Sequence, residues 1–147
     1  MRALVQRVSR ASVSVDAKTV GEIRRGLLVF LGIREGDAED NAAKLAKKVI
    51  NLRIFPDGNG KMNLSLRDVC GELLVVSQFT LYGDTTGGNR PSYSAAAKPE
   101  TAKLLYELFV QFCKDQQVTV ATGVFQAHME VALINDGPIT LICHSEN

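Results

Sequence analysis

Two short segments, far apart in the chain, combine small polar side chains with a break in a strand pattern. The second of them, residues 135–140, interrupts an apolar run with a Gly137-Pro138 step. Because proline lacks an amide hydrogen and glycine lacks Cβ, this step breaks a hydrogen-bond ladder and leaves carbonyl groups free to face a ligand. Such exceptions to a local pattern tend to mark functional sites. The first segment closes another apolar run with Ser77, Gln78, Phe79 and Thr80.

The hydroxyl groups of Ser77, Thr80 and Thr140 are candidates for nucleophilic chemistry. A hydroxyl nucleophile needs an adjacent base and a group that orients the base, and the sequence places neither beside these residues. Gln78 is uncharged, which suits hydrogen bonding to a ligand without a change in the ligand's proton balance. The residues alone therefore leave a nucleophilic role and a binding role open.

Several neighbouring residues also have two interpretations. Phe79 and Phe125 either stack on a ring of a ligand or fill the core, as aromatic strand residues usually do. Met129 fits core packing for the same reason. Asn135 and Asp136 precede a glycine, so they are either turn-forming residues or residues that face a ligand.

Composition indicates a single globular domain over residues 1–147. Of the chain, 46% is hydrophobic and 22% is charged, as in an ordinary soluble protein. The three cysteines show no Cys-x-x-Cys spacing and there are only two histidines, so we expect no disulfide framework, no metal and no cofactor. The apolar runs are too short to span a membrane and the start lacks a signal-peptide pattern. We therefore expect a cytoplasmic protein.

The net charge of +1 neither indicates nor excludes a nucleic-acid partner. A local patch, rather than the total charge, sets the attraction to phosphate. Taken singly, each basic cluster is weak evidence, because most such clusters are solvated faces. The clusters are Arg7 with Arg10, Arg24 with Arg25, and Lys44 with Lys47 and Lys48.

Hydrophobic periodicity predicts two helices and a larger number of strands. Apolar residues alternate with polar ones over 4–15 and return over 18–23 after a turn, as in a hairpin. Asp37 is predicted to cap the first helix and Pro99 to begin the second. We therefore predict an α+β fold, with a mainly antiparallel β-sheet or open barrel and two helices packed on it. The helices are predicted over 38–50 and 99–114, and further strands over 27–33, 72–81, 118–125, 128–134 and 139–143.

Four blocks, in this order and spacing, closely resemble the D-aminoacyl-tRNA deacylase family. They are Gly60 to Ser65, Ser77 to Asp84, Arg90 to Tyr93 and Asn135 to Thr140. The resemblance runs nearly from end to end and includes the opening, Met1 to Val8. It implies an enzyme that hydrolyses the ester bond of D-aminoacyl-tRNA, a proofreading activity, and that works as a homodimer without a cofactor or a membrane.

The resemblance also implies a role for each motif. The segment Ser77, Gln78, Phe79 and Thr80 would line a pocket for the 3′-terminal adenosine and its aminoacyl ester. Gly137 and Pro138, joined by a cis peptide bond, would enter the partner's pocket across the dimer interface and reject L-residues by collision. Glycine has no side chain to collide, so glycyl-tRNA is an expected substrate. Phe125 and Met129 are assigned to the same substrate-binding wall.

Two chemistries fit the resemblance. In one, backbone amides near Phe79 and Thr80 stabilise the oxyanion while the tRNA's own 2′-hydroxyl assists water. In the other, Thr80 is a covalent nucleophile. The chain also departs from the family's pattern, with Gln126 and His128 where family members commonly carry Gly and Asp.

Two rival functions remain. One is a non-catalytic RNA-binding or dimerisation module that keeps the pocket, because a fold alone does not prove a function. The other is a related deacylase for L-residues, which carries a trans Gly-Pro bond and altered motifs. The intact segments around Gln78 and Gly137 disfavour both.

Overall fold

A long first strand organises the sheet in the computed structural model, which describes residues 1–145. The strand β1 pairs antiparallel with β2, with β3 and with β8. The elements in chain order are β1 Arg2–Val15, β2 Lys18–Ile23, β3 Gly26–Gly32, α1 Glu39–Ile50, β4 Phe55–Pro56, β5 Met62–Leu64, β6 Glu72–Ser77, a 3-10 helix Phe79–Tyr82, α2 Pro99–Asp115, β7 Thr119–Thr122 and β8 Glu130–His144.

The six-stranded sheet has the order β2-β1-β3-β6-β7, with β8 on the other side of β1. The β3–β6 and β6–β7 pairs are parallel, because α1 and α2 lie in the crossover connections between them. At the far end the sheet curls back on itself, and Gly21 of β2 lies so close to the carbonyl of Thr122 in β7 that a Cβ would not fit. The predicted α+β fold, a barrel-like sheet with two helices, is confirmed.

The core lies on both faces of this sheet. On one face α1 and α2 cover Leu27, Val29 and Leu31 of β3. On the other face Leu28 packs with Leu74 of β6 and with residues of β1. The alternation of these side chains along β3 explains why the strand reads as a continuous apolar run. Within residues 1–145, no helix is long and apolar enough to cross a membrane.

The first helix begins after Ala38, so the predicted cap at Asp37 is wrong. The carboxylate of Asp37 instead accepts hydrogen bonds from the amino group of Met1 and from the backbone N–H of Arg34, both at 2.7 Å. Because the amino group of Met1 is buried, it needs an anionic partner. The carboxylate therefore anchors the start of β1 against the loop before α1.

Candidate functional site

A pocket of about 710 Å³ opens where β6 ends and α2 begins. Its walls come from the ends of β3 and β6, from residues 93–102, and from residues 125–131. Among the described residues that line it, Lys98 and His128 are the basic ones and none is acidic. Five predicted site residues lie on its walls: Ser77, Gln78, Phe79, Phe125 and Met129. We call this the sheet-end pocket.

The strand β6 ends at Ser77, so the predicted continuation to Leu81 is wrong. The N–H of Gln78 still donates to the carbonyl of Leu31 at 2.8 Å, and the chain then forms one turn of 3-10 helix. This turn crosses the end of β3 above Gly32, where an added Cβ would lie 3.1 Å from the Cβ of Leu81. The close crossing over a glycine places Gln78 and Phe79 at the pocket rather than along the sheet.

Thr80 does not line the sheet-end pocket, and its side chain is already engaged. Its Oγ1 accepts a hydrogen bond from the Nε2 of Gln78. Both residues keep exposed surface, and Thr80 is the more exposed of the two. The side-chain amide of Gln78 therefore links the pocket wall to the Thr80 hydroxyl.

An aromatic pair forms the rim of the pocket. The rings of Phe79 and Tyr93 meet edge to face with their centroids 5.1 Å apart, and both remain well exposed. The segment that carries Tyr93 is held against the end of β3 by a hydrogen bond from the Ala97 N–H to the Ile33 carbonyl at 3.0 Å. Exposed aromatic faces at a pocket rim can stack on a base.

Tyr106 of α2 supports the rear wall. Its hydroxyl donates to the carbonyl of Val75 in β6 at 2.9 Å, and its ring packs on Phe125 with centroids 5.8 Å apart. Burial, together with the nearby carboxylate of Glu107, raises the pKa of Tyr106 to about 12. The phenol therefore stays protonated and acts as a fixed donor rather than as an acid or base.

The departures from the family's pattern lie on this wall. Gln126 has φ of 63°, in the left-handed region that glycine adopts at little cost. His128 is exposed, lies outside any strand and faces the pocket, so its predicted strand position is wrong. Met129 packs over Gly123, where an added Cβ would lie 2.6 Å from the sulfur. Gln126 therefore occupies a conformation that favours glycine, the residue that the resemblance implies at this position.

Gly137 and Pro138 lie outside the sheet-end pocket, in the middle of β8. The sequence predicted two strands separated by this step, but β8 pairs with β1 on both sides of it. Asn135 pairs with Val8 and Thr140 with Gln6, so the residues between them bulge from the ladder. The Gly137-Pro138 bond is cis, as the resemblance implies, and both residues are exposed.

The amide side chain of Asn135 closes this bulge. Its Nδ2 donates to the carbonyls of Arg7 at 3.0 Å and of Ile139 at 2.9 Å, and its Oδ1 accepts from the Thr140 hydroxyl at 3.2 Å. These contacts use both ends of the amide. The turn-forming interpretation of Asn135 therefore fits the structure. We call residues 135–140 the Gly-Pro loop.

The support that sequence reasoning missed is Arg7, whose side chain is buried beneath the Gly-Pro loop. Its Nη1 donates to the carbonyl of Ile54 at 2.5 Å, and its Nε lies 3.1 Å from a carboxylate oxygen of Asp136. The signal was present, because Arg7 continues the inward series of Ala3 and Val5 along β1. A charged residue at an inward strand position indicates a buried charge that needs partners.

Within residues 1–145, no three His, Cys, Asp or Glu side chains are grouped so that they could hold a metal ion. The carboxylate of Asp84 has a lowered pKa because the backbone N–H of Thr86 donates to it. This contact orders the loop after the 3-10 helix.

The fold and these two surfaces define an α+β protein whose pocket and exposed Gly-Pro loop lie apart on one chain. A family model described as D-Tyr-tRNA(Tyr) deacylase matches residues 4–144. The chain therefore belongs to the D-Tyr-tRNA(Tyr) deacylase family, a family of hydrolases.

Curated relatives agree with this assignment. The chain is 59% identical over 146 residues to a D-aminoacyl-tRNA deacylase of Thermosipho africanus, which covers 99% of this chain and 98% of the relative. It is 57% identical to a D-aminoacyl-tRNA deacylase of Clostridioides difficile, with 99% and 97% covered.

Two solved structures share the fold. A c-Myc DNA unwinding element binding protein matches with a TM-score of 0.94 and 37% identity, over 100% of both chains. A probable eukaryotic D-amino acid tRNA deacylase matches with a TM-score of 0.79 over 97% of both chains. At 17% identity, the second shows likeness of fold alone.

Proposed function

We propose that this protein hydrolyses the ester bond of D-aminoacyl-tRNA in the cytoplasm, and that it releases free D-amino acid and tRNA. The family membership and the deacylase names of its close relatives support the activity. The sheet-end pocket is the natural place for the 3′-terminal adenosine, because it combines apolar walls with Gln78 and the exposed ring of Phe79. The observation that carries the proposal is that one chain has both this pocket and an exposed Gly-Pro loop.

In our proposal, the Gly-Pro loop of one copy of the chain reaches the sheet-end pocket of a second copy. Gly137 and Pro138 do not reach the pocket of their own chain, yet they are exposed and braced from below by Arg7. The strand that carries them pairs only with β1 among the described residues, so its other edge is open. The exposed apolar residues Ile134 and Ile142 lie on the same strand. Open apolar edges of this kind favour pairing with another chain, and two-fold dimers are the commonest result.

In such a dimer, selection between D- and L-residues follows from exclusion. The carbonyls of Gly137 and Pro138 hold the substrate's α-amino group from one side, so an L side chain collides with the loop. A D side chain points away from it. Rejection by collision needs no extra affinity for the accepted substrate. Glycyl-tRNA is then a substrate as well, since glycine has nothing to collide.

For the chemical step we favour positioning and amide donors over a covalent intermediate. Phe79 and Thr80 begin a 3-10 helix, and the first amides of a helix have no acceptor within it. They can therefore stabilise the oxyanion while the tRNA's 2′-hydroxyl assists water. The Thr80 hydroxyl is bonded to Gln78, an amide that cannot remove its proton.

The alternative makes Thr80 the nucleophile, and Thr80→Ala separates the two chemistries. Near-normal turnover by this variant excludes Thr80 as the nucleophile, whereas loss of turnover with tRNA binding intact supports that role. A substrate that ends in 2′-deoxyadenosine tests the mechanism in which the tRNA's 2′-hydroxyl assists water. Its cleavage at the normal rate contradicts assistance by the 2′-hydroxyl.

The activity itself is tested by hydrolysis of D-tyrosyl-tRNA and L-tyrosyl-tRNA side by side. We expect release of D-tyrosine alone, with glycyl-tRNA also cleared. Release of both enantiomers at similar rates contradicts chiral selection. Release of neither, with tRNA bound, returns the protein to the RNA-binding alternative.

A further inference from the structure

A second concave surface, separate from the sheet-end pocket, lies at the carboxyl ends of α1 and α2. It has a volume of about 700 Å³, and no acidic residue is among the described residues that line it. Its cationic lining residues, which we call the basic groove, are Lys44, Lys47, Lys48, Arg53 and Arg67.

The spacing of the lysines along α1 creates this concentration of charge. Lys44, Lys47 and Lys48 are three and four residues apart, so they share one face of the helix. Lys44 and Lys48 repel each other weakly at this spacing, while the helix dipole favours Lys47 and Lys48 in the last turn. Lys44 has Asp40 at 3.0 Å, but both side chains are exposed, and such pairs contribute little. Lys48 donates to the His144 carbonyl, which leaves its charge uncancelled.

Two amide side chains, Asn51 and Gln116, and the guanidinium of Arg67 also line a neighbouring polar pocket of about 500 Å³, so the two surfaces are continuous. Asp68 lines that neighbouring pocket as well, so the uncompensated positive charge lies on the lysine side of the groove. Cations interleaved with neutral amides can follow a chain of phosphates, whereas an isolated small anion needs only one of these positions. The shape and charge therefore fit an extended nucleic-acid backbone.

The groove is linked to the Gly-Pro loop by a short path of contacts. Arg53 is adjacent in sequence to Ile54, whose carbonyl accepts the 2.5 Å hydrogen bond from Arg7. Arg7 in turn contacts Asp136, next to Gly137. In the proposed dimer this loop completes the partner's pocket, so these contacts connect the groove of one subunit with the site of the other.

We propose that the basic groove binds the phosphate backbone of the tRNA whose 3′ end lies in the partner's sheet-end pocket. This inference rests on the proposed function, and it adds the surface that distinguishes a whole tRNA from a small aminoacyl ester. The terminal adenosine then supplies the chemistry, and the groove supplies much of the affinity.

The test is the double variant Lys44→Gln with Lys47→Gln, compared with Lys18→Gln with Lys103→Gln. All four lysines are exposed, and the second pair lies outside the groove. We expect KM for D-tyrosyl-tRNA to rise about tenfold at physiological salt, and the salt slope of tRNA binding to fall by about 2. Hydrolysis of D-tyrosyl-adenosine and kcat stay unchanged, and the control pair resembles the native protein.

Two results contradict the proposal that the basic groove binds tRNA. One is an unchanged KM and salt slope for tRNA, and the other is an equal loss with D-tyrosyl-adenosine, which places the effect in the pocket. Binding of uncharged tRNA is measured in parallel. A native protein that hydrolyses neither substrate contradicts the proposed function, whereas the binding slope still tests the groove by itself.

Discussion

The Nε of Arg7 lies 3.1 Å from a carboxylate oxygen of Asp136 and donates to the backbone carbonyl of the same residue at 3.2 Å. Arg7 is only 8% exposed, and its Nη1 also donates to the carbonyl of Ile54. One guanidinium thus ties β1, β8 and the segment before β4 together. Because arginine presents several donors in a rigid fork, it can hold Asp136 through Nε and the carbonyl of Ile54 through Nη1 at once.

The conservative change Arg7→Lys tests this support. An ammonium has no planar fork, so it cannot hold both Asp136 and the carbonyl of Ile54. We expect a loss of about 1–3 kcal/mol of unfolding free energy, since a buried hydrogen bond to a charged donor is lost. Urea unfolding measures this, and D-tyrosyl-tRNA hydrolysis is expected to fall with it. Arg10→Lys, an exposed change on the same strand, is the control. Native stability and activity in Arg7→Lys contradict the role.

Gly137→Ala places a methyl group where the loop has no room. Gly137 has φ of 126°, and an added Cβ would lie 2.9 Å from the Cγ1 of Ile139 and 3.0 Å from the Nη2 of Arg7. The strain is of the order of 1–3 kcal/mol and falls on an exposed loop. We expect kcat/KM for D-tyrosyl-tRNA to fall at least about tenfold while the fold survives, because a displaced loop misplaces the substrate.

Gly58→Ala is the matched control, since an added Cβ there has nothing within 4 Å. Circular dichroism and steady-state kinetics on both variants provide the comparison. If Gly137→Ala keeps full activity, the loop does not act in hydrolysis.

Tyr106→Phe removes one oxygen from the rear wall. The lost hydrogen bond to the Val75 carbonyl is expected to cost about 1 kcal/mol, because that carbonyl also accepts from the Gly123 N–H. Burial raises the pKa of Tyr106 from 10.0 to about 12. The folded state therefore disfavours the phenolate, so this contribution is complete below pH 10 and is lost as pH rises toward 12. Urea unfolding from pH 8 to pH 12 should show a shallower alkaline decline in the variant. Parallel curves for the two proteins exclude this linkage.

His128→Asp introduces a carboxylate at a pocket that has none among its described lining residues. A charge pair at about 4 Å in water is worth about 1 kcal/mol, which is roughly fivefold in rate. We expect hydrolysis of D-aspartyl-tRNA to fall by that factor relative to D-asparaginyl-tRNA. His128→Asn is the control, because it has nearly the same size as the aspartate and no charge. An unchanged ratio places His128 away from the substrate side chain.

Local patterns predicted most of the elements, while long-range contacts decided the rest. The hairpin of β1 and β2 and the apolar faces of α1 and α2 follow from periodicity, which needs no knowledge of partners. The continuity of β8 through Gly137 does not, because it depends on pairing with β1 and on the side chain of Asn135. The parallel pairs of β6 also depend on where the helices pack.

In the site, too, local patterns predicted one part and long-range contacts decided the rest. The motif around Gln78 identified the pocket wall, but the crossing of the 3-10 turn over Gly32 is a tertiary contact, and Thr80 does not line the pocket. Arg7 appeared in the sequence as part of a surface cluster. The alternation with Ala3 and Val5 indicates its inward position, but its partners Ile54 and Asp136 are long-range contacts that local patterns do not show.

In the proposed dimer, each site combines the pocket of one subunit with the Gly-Pro loop of the other. The test is to mix two impaired variants, Gln78→Ala in the pocket and Gly137→Ala in the loop. Half of the randomly mixed dimers are hybrids, and each hybrid has one intact composite site. We therefore expect recovery of about a quarter of native D-tyrosyl-tRNA hydrolysis from the symmetry of a two-fold dimer. No recovery, with hybrid dimers shown to form, contradicts the claim, because sites built within one subunit stay damaged in every combination.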